Sequence, residues 1–179
     1  MVQWVTENVS QLDSRILDLG CGNGHLLLEL SALGYKNLHG IDYSESAITL
    51  ARSVAEKRGL KWIQYNVVDF LKNPFEGPHD ILLDKGTYDA ISLNPDQVQA
   101  KKDLVDGPRE EYVKSVHKMM GPNSLFLITS CNWTEEELIK NFSGYLTHHS
   151  SVKYPVFQFG GMKGSTICTV AFVKACNIE

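Results

Sequence analysis

The sequence predicts an α/β protein with a doubly wound, mostly parallel seven-stranded sheet that ends in an antiparallel hairpin. Three observations carry this expectation. Short apolar runs alternate with stretches of helical spacing along most of the chain, the pattern of successive βαβ units. The first run, Ile16-Leu17-Asp18-Leu19, passes into Gly20-Cys21-Gly22-Asn23-Gly24 and then into Leu26, Leu27 and Leu30 at helical spacing, which reads as strand, tight loop, helix. The last two runs, 152–159 and 166–174, flank a glycine-rich stretch from Gly160 to Ser165 that suits a hairpin turn.

Length and composition bound the rest. At 179 residues and 43% hydrophobic, the chain is expected to form one domain over 1–179 with ample material for a core. A net charge of -4 argues against a nonspecific grip on nucleic acid, so no nucleic-acid partner is expected. Cys21, Cys131, Cys168 and Cys176 form no C-x-x-C pair, and His148-His149 has no partner at ligand spacing, so neither a disulfide framework nor a metal site is expected. No apolar run approaches the ~20 residues of a membrane span, and the first residues do not resemble a signal peptide. A soluble monomer of the cytoplasm, or of the nucleus, is the expectation.

Taken in order, Met1 to Val9 spaces Val2, Val5 and Val9 around Trp4 as a short packing helix. The glycines after Leu19 then let backbone approach a ligand closely, and the following helix points unpaired N–H groups at it. A nucleotide-like ligand fits. A dinucleotide fingerprint reads G-x-G-x-x-G, yet His25 stands where its third glycine would fall. The chain instead spells D-x-G-x-G-x-G from Asp18 to Gly24, which resembles motif I of the class I S-adenosylmethionine-dependent methyltransferases. That resemblance implies S-adenosylmethionine as cofactor, with Asp18, Gly20, Cys21, Gly22 and Gly24 around it, and a Rossmann-like fold.

The next strand, 36–42, ends in Asp42 about 20 residues beyond the glycines, where a ribose-binding acid belongs. Tyr43 falls in the same place. Asp42 also suits a helix start, since Ser44 is a credible N-cap for a helix from Ser44 to Arg58 that Gly59 ends. A third strand, 61–67, is followed by Val68-Asp69-Phe70. The resemblance implies an acid here facing the adenine amino group between apolar walls; Asp69 fits the first role, or merely caps a turn, and Val68 and Phe70 fit the second.

After a Pro- and Gly-containing loop at 73–78, the strand 79–84 ends in Asp84. Ligands bind beyond the carboxyl ends of strands at a switch point, so Asp84 to Tyr88 is expected to floor the reaction site. Lys85-Gly86-Thr87 replaces the prolines and aromatic residue of enzymes that methylate base amino groups, which disfavours nucleobases. Residues 94–109 read as a mobile surface loop, either a lid or an uninvolved insertion, and Arg109 to Met120 as a helix closed by Gly121-Pro122. His117 is expected to face solvent. The strand 124–130 precedes Cys131-Asn132-Trp133, and Thr134 with Glu137 forms a capping box. Trp133 either walls an acceptor channel or packs.

The blocks from Asp84 to Pro95 and from Leu127 to Thr134, with Gly40-Ile41-Asp42-Tyr43-Ser44 and Phe157 to Gly161, resemble the lysine methyltransferases that modify translation elongation factor 1-alpha. The likeness runs from about residue 12 to Lys174 and implies a cytosolic enzyme acting on a lysine of a folded protein. Asp84 could orient or take the amine proton, or its backbone could hold the amino group of the cofactor's methionine part, the latter ranked first. Tyr88, Asn132 and Trp133 are candidates for the acceptor channel. Lys85 is expected to pack or pair with an acid. The resemblance also implies an upstream segment that these 179 residues do not include, and a shorter stretch than 97–107. A small-molecule methyltransferase or an inactive cofactor-binding subunit stands as the alternative.

Overall fold

The computed structural model describes residues 1–75, 77, 79–155, 157–159, 162–164 and 167–175. In chain order the first elements are α1 (Val2–Asn8), β1 (Ile16–Leu19), α2 (His25–Ala32), β2 (Leu38–Asp42), α3 (Glu45–Lys57), β3 (Gln64–Val67), β4 (His79–Lys85), α4 (Thr87–Ser92), α5 (Asp96–Asp103), α6 (Pro108–Met119) and β5 (Met120–Ser130), with no helix between β3 and β4 among the described residues. There follow α7 (Glu135–Phe142), β6 (Leu146–Ser151), β7 (Phe157–Phe159), β8 (Met162–Gly164) and β9 (Cys168–Lys174).

The main sheet has seven strands in the order β3-β2-β1-β4-β5-β9-β6. β1 lies parallel to β2 and β4, and β9 runs antiparallel to both β5 and β6. Side chains on successive strand residues point to opposite faces, and the two cores follow from that. Ile16, Ile81 and Leu83 face Trp4 and Val5 of α1, Leu27 and Leu30 of α2, and Ile48, Ala51 and Ala55 of α3. Leu17, Leu19, Leu82, Phe126 and Ile128 face Tyr88 of α4, Tyr112 and Val116 of α6, and Leu138 and Phe142 of α7. The Tyr35 hydroxyl donates to the Val9 carbonyl at 2.6 Å and ties α1 to the layer beneath it.

Three expectations change. The predicted strand 166–174 is β9, but its antiparallel partner on the outer side of the main sheet is β6, not 152–159. β7 and β8 instead pair in a separate two-stranded sheet. The predicted turn from Gly160 to Ser165 lies partly outside the described residues, as does Cys176. Residues 94–109 hold the helix α5, not a continuous loop. His117 is half-buried, edge-on to the Tyr145 ring.

Candidate functional site

β1 is the point where the chain turns from building the sheet one way, through β2 and β3, to building it the other way, through β4 and β5. Leu19 pairs with Ile41 on one side and Asp84 on the other, so the glycine loop opens into the crevice between the ends of β2 and β4. A cleft of about 580 Å³ lies there. Gly20, Asp42, Tyr43, Val68, Asp69 and Phe70 line it, together with Leu71, Lys85, Gly86, Thr87, Ala90, Ile91 and Asn94.

The loop is shaped by what a side chain would strike. Gly20 has φ +67°, and a Cβ there would lie 2.8 Å from Cγ2 of Thr87. Gly24, at φ +75°, would meet Cζ of Tyr65 at 2.7 Å. Both backbone conformations are ones that L side chains rarely adopt. Asp42 fastens the loop: one carboxylate oxygen accepts from the Gly22 N–H at 3.0 Å and the other from the Ser44 N–H at 2.9 Å. Ser44 caps α3 by accepting from the Ala47 N–H. Capping and cleft lining are thus shared between neighbours.

Asp69 lines the cleft, its carboxylate pairs with Lys72 at 2.8 Å, and its backbone carbonyl, rather than its side chain, accepts from the Lys72 and Asn73 N–H groups. Phe70 is buried with its ring edge-on to Tyr112, and the Val68 N–H bonds to the Asp42 carbonyl at 2.9 Å. Cys21 is buried behind the loop, and burial pushes its thiol pKa up, which makes it a packing group.

Asp18 and Asp84 are both buried, by 3% and 0% exposure respectively. Burial, and then the Asp84 charge, push Asp18 up to about 8, against a pull downward from Lys85. Asp84 accepts from the Thr87 N–H at 2.8 Å, the Tyr88 N–H at 2.9 Å and the Tyr112 hydroxyl. Burial raises its pKa to about 6, with those three donors opposing. Its carboxylate is enclosed and serves the start of α4, which leaves the backbone role, the one ranked first from the sequence, as the reading the geometry favours over taking a proton from an amine in the cleft. Tyr88 is likewise not in the cleft. It packs against Tyr112, Trp133 and Phe142, and burial pushes its hydroxyl up to about 12.

Asn132 and Trp133 also stand apart from the cleft. On α4, Thr87, Ala90 and Ile91 face it, while Tyr88, Asp89 and Ser92 face the loop after β5. The Trp133 indole donates to the Ser92 hydroxyl at 3.1 Å, and the Arg109 guanidinium lies 5.5 Å from its ring centroid. The structure therefore favours the packing reading of Trp133. Thr87 falls in the expected floor from Asp84 to Tyr88, and Ala90, Ile91 and Asn94 extend that wall at i+3, i+4 and i+7, beyond the residues the sequence singled out. Asp89, which accepts from the Ser130 hydroxyl and the Cys131 N–H, carried no sequence signal.

Residues 11–161 match the family model described as "Methyltransferase domain". EEF1A lysine methyltransferase 2 of Homo sapiens is 43% identical over 176 residues, 97% of this chain and 71% of that protein. Protein-lysine N-methyltransferase EFM4 of Saccharomyces cerevisiae is 41% identical over 97% of this chain and 78% of that one. The crystal structure of a TehB-like SAM-dependent methyltransferase from Corynebacterium glutamicum superposes with a TM-score of 0.71 at 18% identity, covering 97% of this chain and 87% of that one, which shows the shared fold.

Proposed function

Since the chain belongs to the methyltransferase-domain family, we propose that it transfers methyl groups from S-adenosylmethionine to a lysine side chain of a protein, translation elongation factor 1-alpha. The observation that carries the reading is 43% identity, spread over 97% of the chain, to a protein named for that activity.

The cleft suits the cofactor. Each Asp42 oxygen holds one backbone N–H and keeps a second acceptor position, so the carboxylate can receive a vicinal pair of ribose hydroxyls without releasing the glycine loop. Val68 and Phe70 offer apolar walls to a flat base, and Asp69 an acceptor at its edge. The backbone at Gly22, whose N–H Asp42 holds, has open space where a Cβ would stand.

Bound there, S-adenosylmethionine supplies a methyl group already activated on a sulfonium sulfur. The chain must then align a neutral amine with the carbon-sulfur bond and keep water out. A free lysine has a pKa of ~10.4 and must lose its proton first. Ala90 and Ile91 provide low-polarity wall, and desolvation there disfavours the ammonium form. With the Asp84 carboxylate enclosed, the strand end contributes its backbone instead, as a partner for the amino group of the cofactor's methionine part. A cytoplasmic site of action follows from the choice of substrate.

Purified chain incubated with methyl-labelled S-adenosylmethionine and cell lysate tests the proposal. A labelled band at the mass of elongation factor 1-alpha, lost with Asp42→Ala, is the expected result. Cofactor binding by calorimetry with no labelled protein overturns it.

A further inference from the structure

The cleft carries charge of both signs, and its cation is unaccounted for. Asp42 and Asp69 sit at the β2–β3 side, while Lys85 ends β4 across β1. Two strand spacings, about 10 Å, separate those edges. Elsewhere Arg15 pairs with Asp80 at 2.6 Å, Lys72 with Asp69 at 2.8 Å, and Lys114 with Asp106. Lys85 is exposed in the cleft and makes no ion pair or side-chain hydrogen bond among the described residues.

Strand alternation puts Lys85 on the same face of the sheet as Asp18, opposite to Asp84. Asp18 is nonetheless a poor counter-ion. It is buried, and its pKa near 8 keeps most of it protonated at neutral pH. A flexible ammonium therefore stands at the floor of the cleft beside the positive-φ backbone of Gly20 and Gly86, with no resident anion to neutralise it.

We propose that Lys85 is the counter-ion for the carboxylate of the cofactor's amino-acid portion, making the Gly20–Lys85–Gly86 side of the cleft an anion subsite. The proposal rests on the cofactor reading above. It divides the cleft by chemistry: hydroxyls and the base toward Asp42 and Asp69, the carboxylate toward Lys85. It also replaces the expectation that this lysine packs or pairs with an acid of the chain.

The test is calorimetric binding of two ligands that differ by one group, S-adenosylmethionine and its decarboxylated form, to the wild-type chain, Lys85→Gln and Lys85→Arg. A charge-assisted contact predicts that Lys85→Gln weakens S-adenosylmethionine roughly ten- to a hundredfold. The decarboxylated ligand should bind the wild type and Lys85→Gln alike, and Lys85→Arg should keep most of the affinity for both. Equal losses for the two ligands would show that Lys85 acts on the loop or on Asp18 and would overturn the proposal, as would no loss for either. A wild-type chain that binds neither ligand is a different failure, that of the cofactor reading itself, and takes this proposal with it.

Discussion

The Ser130 hydroxyl donates a hydrogen bond of 2.5 Å to Oδ1 of Asp89, joining the last residue of β5 to the middle of α4. Oδ2 of the same carboxylate accepts from the Cys131 N–H at 2.9 Å and from its thiol at 3.3 Å. Helix α4 presents Ala90 and Ile91 to the cleft, so this buried carboxylate fixes the wall by fastening its back. Asp89→Asn keeps the volume but turns an N–H₂ toward a backbone N–H or toward the Ser130 hydroxyl. Leaving a buried donor unmet costs about 1–3 kcal/mol. Urea unfolding should show a loss of that size, with catalytic efficiency toward the protein substrate falling further than affinity for the cofactor.

Asp18 makes a prediction about pH. Its folded pKa, about 8, lies above the ordinary 3.8, so the folded state holds the proton more tightly than the unfolded one. The stability linked to that proton is complete below about pH 4 and is lost as pH rises through 8. Asp84, raised to about 6, adds a loss of the same sign. Asp18→Asn removes the first contribution. Thermal unfolding should find the variant gaining on the wild type between pH 5 and pH 8.5, with the gap narrowing toward pH 4; a constant gap would contradict this.

Gly20→Ala should damage the site directly. At φ +67° the added methyl is strained, and it is driven into the Thr87 side chain, whose hydroxyl donates to the Leu19 carbonyl at 2.7 Å. A stability loss of at least about 1 kcal/mol is expected from the backbone alone. Cofactor affinity, read by calorimetry, should fall at least tenfold, because Thr87 is a cleft wall.

Trp133→Phe should separate packing from recognition. The indole N–H and the stacked Arg109 are lost while the ring volume is mostly kept. Stability should drop by about 1 kcal/mol. Cofactor affinity should stay within about twofold of wild type, since the ring lies on the flank of α4 away from the cleft. Asn132→Ala, at an exposed position, should leave both unchanged.

The strands up to β5 and the helices α1, α2, α3 and α6 were legible because each carries its own apolar periodicity, and the glycine loop and Asp42 were legible because their spacing is fixed by a ligand-sized gap. Elements without an apolar stripe were not. Helix α5 buries only Gln97, and it is held by side-chain bonds: Gln97 to Glu110, Arg109 N–H to Gln97, and Gln99 to Asp103. β6 buries only Leu146 and takes its place from β9 and from Ser151, whose hydroxyl donates to Glu135. Asp84 was legible as a strand end, and the two-residue alternation of β4 turns its carboxylate to one face of the sheet and Lys85 to the other.

The position of β9 has a consequence for how the protein is made. β5 lies on one side of it and β6 on the other, so the last described strand to leave the ribosome is an interior member of the sheet. Until residues 168–174 emerge, β5 presents an open edge and β6 has no neighbour in the main sheet. A nascent chain stalled or clipped before Cys168 would carry an unpaired, largely apolar strand, the kind of edge that recruits other chains. Completion of the sheet thus waits for residues 168–174, and termination before Cys168 should give insoluble rather than merely inactive protein.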